Sequence, residues 1–90
     1  IIPDKFELNQ NYPNPFNPET KIKFSIAKSS VVKLNVFDVA GREVAKLVDN
    51  ELTPGVYEYA FNGIGLSSGV YFYRLETGFF TETKRMVLIK

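Results

Sequence analysis

From Thr20 onward apolar and polar residues alternate, with the two-residue period of a half-buried strand. In residues 21–26 (KIKFSI), Ile22, Phe24 and Ile26 fall on one face and Lys21, Lys23 and Ser25 on the other. Residues 31–38 (VVKLNVFD) continue the pattern, with Val32, Leu34 and Val36 inward and Lys33 and Asn35 outward. Asp38-Val39-Ala40-Gly41 reads as a tight turn in which Gly41 supplies the positive φ of a three-residue hairpin with a glycine bulge. The return strand over 42–48 (REVAKLV) alternates imperfectly, because Val44, Leu47 and Val48 do not share a parity. A bulged edge strand is preferred there to a helical turn. A turn over 49–55 (DNELTPG) precedes a strand over 56–61 (VYEYAF) that sets Tyr57, Tyr59 and Phe61 together. A glycine-rich connection over 62–68 leads to a strand over 69–77 (GVYFYRLET), with Tyr71, Tyr73 and Leu75 on one face. Thr77-Gly78 turns the chain into a last strand over 79–90, with Met86 and Leu88 inward. No internal repeat and no low-complexity tract stand out.

Ahead of this pattern, Phe6-Glu7-Leu8 reads as a short first strand. In 9–20 (NQNYPNPFNPET), Pro13, Pro15 and Pro18 interleave with Asn9, Asn11, Asn14 and Asn17. Proline fixes φ and removes a donor, so neither a helix nor a central strand runs through this stretch. Asn-Pro steps favour turns, which makes it a rigid, extended and turned crossover with Tyr12-Pro13 as a candidate cis bond. With about seven strands and turn signals at roughly 8–12-residue spacing, the fold class is all-β. The expected architecture is an immunoglobulin-like antiparallel β-sandwich.

Composition narrows the chemistry. Ninety residues make one small domain, and 44% hydrophobic residues with 14% aromatics supply a single core. The formal net charge of +1 argues against a partner held by bulk charge, such as nucleic acid or an anionic membrane. Basic residues lie singly along the chain, Lys84-Arg85 apart, and no helix is predicted to enter a groove. The absence of Cys removes disulfides and thiol chemistry, and the absence of His removes the commonest general base and zinc ligand. No apolar run reaches the ~20 residues of a membrane span. The opening IIPDKFELNQ lacks the features of a secretory signal.

The candidate carboxylates Asp38, Glu43, Asp49, Glu51, Glu58, Glu76 and Glu82 sit mostly at turns or outward positions, where a solvated charge is the default. Ser29-Ser30 and Ser67-Ser68 have no histidine to activate them. No catalytic residue, cofactor or metal ligand is therefore assigned. Asn9, Asn11, Asn14, Asn17 and Glu19 offer oxygens to Ca²⁺, but their spacing matches no calcium loop. The tyrosines at 57, 59, 71 and 73 suggest sugar stacking, yet they share parity with Phe61 and Leu75, which suggests core. Phe37, Phe72, Val87 and Ile89 have the opposite parity and form a candidate apolar stripe on an outer sheet face. The last strand is a candidate open edge, able to pair with another chain or to support a dimer.

Several blocks carry a resemblance. They are residues 6–26 (FELNQNYPNPFNPETKIKFSI), 32–48 (VKLNVFDVAGREVAKLV), 52–61 (LTPGVYEYAF), 66–78 (LSSGVYFYRLETG) and 83–90 (TKRMVLIK). In this order they resemble the C-terminal sorting domain of the type IX secretion system. The GREVAKL block is also similar to the immunoglobulin-like domain of flagellar hook-capping proteins. The resemblance implies a non-catalytic export label, with residues 1–5 as a linker from upstream cargo and 6–90 as the sorting domain. It implies outer-membrane secretion machinery and a sorting protease as partners. The cargo would pass through the periplasm to the cell surface or the medium.

Within that resemblance, Asn11, Pro13, Asn14, Pro15, Phe16, Asn17 and Pro18, with Gly41, Gly69 and Tyr71, form the structural motif. Tyr71 is a candidate tyrosine-corner anchor, and Gly69 and Gly78 permit the turns of the final hairpin. Where many relatives have Trp-Asp, this chain has Phe61-Asn62, with Phe61 filling core space and Asn62 capping a turn. The expected recognition surface is Phe37, Phe72, Val87 and Ile89 with the charges of Lys84, Arg85 and Lys90. The alternative function is a carbohydrate-binding or structural β-sandwich module of a secreted enzyme.

Overall fold

A computed structural model describes residues 3–90, so Ile1 and Ile2 of the expected linker lie outside the described residues. The alternating segments form seven strands: β1 (Glu7–Leu8), β2 (Glu19–Ile26), β3 (Ser30–Phe37), β4 (Glu43–Leu52), β5 (Gly55–Asn62), β6 (Gly69–Glu76) and β7 (Thr81–Leu88). They make two antiparallel sheets, ordered β1-β2-β5 and β4-β3-β6-β7. The architecture is the immunoglobulin-like sandwich that the alternation predicts.

The inward residues meet in one core. Ile22, Phe24 and Ile26 of β2 pack with Val32, Leu34 and Val36 of β3, with Tyr73 and Leu75 of β6, and with Met86 and Leu88 of β7. Phe61 fills core space at the end of β5, where it meets Phe16 edge to face at 6.1 Å. Phe6, ahead of β1, stacks on Phe79 and Phe80, so the sandwich begins before the proline segment.

Three local readings need correction. The strand β4 runs on to Leu52, so the turn expected over 49–55 shrinks to Thr53-Pro54. Its broken parity has a simple cause: register shifts against β3 leave Val44 and Leu47 as extra residues, which makes β4 a twice-bulged edge strand. The strand β7 starts at Thr81 rather than at residue 79, because Phe79 and Phe80 complete the turn. Asn35 keeps its outer-face parity but is buried between its cross-strand neighbours Lys46 and Arg74, and its Oδ1 has no hydrogen-bond partner.

The β3–β4 hairpin closes as predicted. Gly41 takes φ +85, and its N–H donates to the carbonyl of Asp38. The Asp38 carboxylate accepts from the N–H groups of Ala40 and Arg42 and from Nε of Arg42. Its pKa is lowered, first by the Arg42 backbone N–H.

A short internal repeat of eight residues, against the expectation of none, launches β5 and β6. Residues 52–59 (LTPGVYEY) and 66–73 (LSSGVYFY) follow one formula. The Tyr57 hydroxyl donates to the carbonyl of Thr53 at 2.6 Å, and the Tyr71 hydroxyl donates to that of Ser67 at 2.7 Å. Both are tyrosine corners, so the anchor expected at Tyr71 is present and is duplicated at Tyr57. Gly69 takes φ +150, a conformation reserved for glycine. Replacing Tyr71 with Phe removes one partly buried hydrogen bond, a loss of about 1 kcal/mol. Thermal unfolding of Tyr71→Phe is expected about 4–8 °C lower, and an unchanged midpoint would show the corner to be energetically idle.

Candidate functional site

The proline segment takes its place from its own side chains. The chain leaves β1 with the N–H of Asn9 donating to Lys23, and Tyr12 pairs with Lys21 on β2 through two hydrogen bonds of 3.0 Å. The Tyr12-Pro13, Asn14-Pro15 and Asn17-Pro18 bonds are cis. Between these prolines the chain crosses from the edge of one sheet to the edge of the other.

There it lies along β7. The N–H of Phe16 donates to the carbonyl of Val87, and the N–H of Ile89 donates to that of Phe16, both at 2.9 Å. The N–H of Val87 donates to Oδ1 of Asn14 at 3.0 Å. Gln10 Nε2 donates to the carbonyl of Arg85 at 2.7 Å. The Phe16 ring, 1% exposed, enters the core beside Leu88 and Phe61. The expected open edge of the last strand is therefore occupied over Arg85–Ile89 by the chain's own Asn/Pro belt. Prolines carry no N–H, so the belt ends the sheet without offering a fresh edge.

A buried polar cluster fastens the belt from beneath. Tyr73 is 0% exposed; its hydroxyl donates to the carbonyl of Asn9 at 2.7 Å and accepts from the N–H of Asn11 at 2.8 Å. Asn11 Nδ2 donates to Thr20 Oγ1 and to the carbonyl of Pro13, and Thr20 Oγ1 donates to that same carbonyl. Burial pushes the Tyr73 hydroxyl up to about 12, against a smaller opposing effect of the Asn11 N–H. Asn11, Asn14, Pro13 and Phe16 thus act structurally. The oxygens Oδ1 of Asn11 and Oδ1 of Asn14, weighed above as Ca²⁺ ligands, already accept from Gln10 and Val87.

On the outer face of the β4-β3-β6-β7 sheet, the predicted stripe comes together in part. Phe37 lies opposite Phe72, Phe72 opposite Arg85, and Val87 opposite Val70. Phe37, Phe72 and Val87 are half-buried, and Ile89 is 51% exposed. The guanidinium of Arg74 stands 4.6 Å over the Phe37 ring, a cation–π contact that follows from the shared outer-face parity of Phe72 and Arg74 on β6. A shallow hollow of about 280 Å³ opens between Phe37, Phe72, Arg74 and Thr83.

Lys84 does not share this face. It lies on the opposite side of β7, 3.3 Å from Glu82. The Nζ of Lys90 donates to the carbonyl of Ile64, and its backbone N–H donates to Ser68 Oγ.

The four tyrosines of β5 and β6 face inward, whereas Tyr12 in the belt is exposed. Tyr71 and Tyr73 are buried, while Tyr57 and Tyr59 are half-buried and stack on Phe24 at 5.6 and 5.8 Å. They do not form the platform of solvent-facing rings that sugar stacking needs. Asn62 caps its turn as expected, with Oδ1 accepting from the N–H of Ile64.

Residues 10–90 match the family described as the secretion system C-terminal sorting domain. The chain belongs to this family. The match takes in the belt, the two tyrosine corners and β7, so the devices described above are parts of a sorting domain. A sorting domain of the type IX system carries a secretion signal, its cargo is secreted or displayed at the cell surface, and it interacts with the secretion system. Neither curated proteins nor solved structures give a match to the chain.

Proposed function

We propose that residues 6–90 act as a non-catalytic export label, recognised by outer-membrane secretion machinery through the outer face of the β4-β3-β6-β7 sheet. The family match over residues 10–90 carries this reading. The cross-strand pair Phe37–Phe72 supplies the apolar anchor, extended by Val87 and Ile89. Arg85 lies beside Phe72 and adds positive charge to this face, whereas Lys84 lies on the other side of β7 and Lys90 reaches toward Ile64. Paired aromatics rimmed by arginines are the composition of a protein-binding hot spot rather than of a solvated sheet face. With the β7 edge occupied by the belt, the last strand meets the machinery through its outer face and not through a bare edge.

Cargo joined ahead of Phe6 would cross the periplasm and be released or attached outside, after removal of the label by a sorting protease. The test is a reporter with a signal peptide, fused ahead of this chain in a bacterium that has the type IX system. The double variant Phe37→Asp/Phe72→Asp changes half-buried outer-face residues and leaves the core untouched. Secretion is expected to fall roughly tenfold or more, as for loss of two hot-spot residues, with thermal unfolding of the isolated chain little changed. Wild-type secretion by a folded double variant would remove the proposed surface.

A further inference from the structure

The two sheets have four edges, and three of them resist pairing. The strand β1 is only two residues long, β4 is broken by its bulges, and β7 is covered by the belt over Arg85–Ile89. The strand β5 differs. Its eight residues run in unbroken register against β2, without proline, and it borders its sheet. On β2, Lys21 and Lys23 direct their backbone groups toward Tyr12 and Asn9. The alternate residues Ile22 and Phe24 therefore bond to Tyr59 and Tyr57 of β5. This leaves the N–H and C=O groups of Val56, Glu58 and Ala60 pointing out of the open edge.

We infer that this edge is an interface with a second copy of the chain, in which two β5 strands pair antiparallel about a two-fold axis through Tyr59. Charge selects both the occupant and the register. A register with Glu58 facing Glu58 sets like charges directly opposite. Placing Tyr59 on the axis instead sets Glu58 opposite Ala60, Tyr57 opposite Phe61 and Val56 opposite Asn62.

Within one chain, Lys21 is the cross-strand neighbour of Ala60, and Lys23 that of Glu58. Across the new seam the row becomes Lys21, Ala60, Glu58 of the second copy, then Lys23 of the second copy. Lys21 and that Glu58 are two strand spacings apart, about 9.5 Å. The short Ala60 side chain leaves room for the lysine and glutamate to meet over it. The two-fold axis makes the row occur twice. About eight backbone hydrogen bonds join the copies, and the half-buried rims of Tyr57 and Tyr59 are covered. Among the described residues, Lys21, Lys23 and Glu58 make no ion pair within the chain, so their charges are free for this row.

Sedimentation of the 90-residue chain from micromolar to millimolar concentration should show a monomer–dimer equilibrium. Ala60→Glu places a carboxylate opposite Glu58 in both rows and should weaken the dimer roughly tenfold. The chain has no cysteine, which makes crosslinking clean. Under mild oxidation a mixture of Glu58→Cys and Ala60→Cys should form a mixed disulfide far faster than either variant forms its own. Both positions are exposed, so folding is not at stake. A chain that sediments as a monomer throughout overturns the proposal, as does Ala60→Glu dimerising like wild type. Glu58→Cys linking to itself as readily as the mixture links also overturns it.

Discussion

Phe16→Ala is expected to lower the melting temperature of the chain by about 15–30 °C, from a loss of about 3–5 kcal/mol. The ring is fully enclosed, it meets Phe61 edge to face, and Leu88 and the Gly63 backbone crowd its far side. A Cβ built on Gly63 would lie 3.0 Å from Leu88 and 3.5 Å from the Phe16 ring, so this corner has little freedom to collapse around a void. The cost should therefore fall in the upper part of the range for buried phenylalanines. The loss should also have an address. The N–H groups of Val87 and Ile89 are protected by the belt and should exchange faster with solvent water. The amides pairing β3 with β6 should keep their relative order of protection. A melting temperature lowered by less than about 5 °C would mean that the belt is an ornament on an independently stable sandwich.

Tyr73→Phe is expected to cost about 2–3 kcal/mol, although it removes a single oxygen. That oxygen serves two backbone groups of the belt, and its loss strands the buried N–H of Asn11. The same hydroxyl gives the chain an alkaline limit. Its pKa is about 12 in the folded state, because burial penalises the phenolate, against an ordinary value of 10.0. Folding thus favours the protonated form. The corresponding stability is fully present below about pH 10 and is lost as the pH rises through 12, a change on the order of 2 kcal/mol. Denaturant titrations between those pH values should show wild-type stability falling, and Tyr73→Phe should lack this component of the slope. Parallel pH profiles for the two proteins would refute the assignment.

How far the sequence disclosed this structure depended on how local each interaction is. Ile22, Phe24, Val32, Leu34, Val36, Tyr73 and Met86 declared their burial by alternation, since a strand between two solvated neighbours must sort its faces residue by residue. The segment 49–52 read as turn because β4 is an edge: Asp49, Asn50 and Glu51 are solvated, and the bulges at Val44 and Leu47 scramble the parity that precedes them. The paired tyrosine corners are written in the sequence as LTPGVYEY and LSSGVYFY, a repeat of eight residues that is far shorter than the period of a repeat architecture. The belt was visible only as Asn/Pro turns. Its destination was hidden because Gln10, Asn14 and Tyr73 find partners more than 60 residues away, and no local pattern encodes such pairings. On the candidate surface, parity placed Phe37, Phe72 and Val87 together. It did not separate Lys84 from Arg85, because adjacent residues on one strand point to opposite faces.

The join between Phe16 and Ile89 ties an early stretch of the chain to nearly its last described residue. A chain broken off before Val87 has nothing to receive the Phe16 amide and no Leu88 to help enclose its ring. Loop-closure entropy makes so distant a pairing late to form. Folding of the N-terminal stretch therefore waits on residues 87–89, and a chain cut ahead of them keeps a loose N-terminal flap.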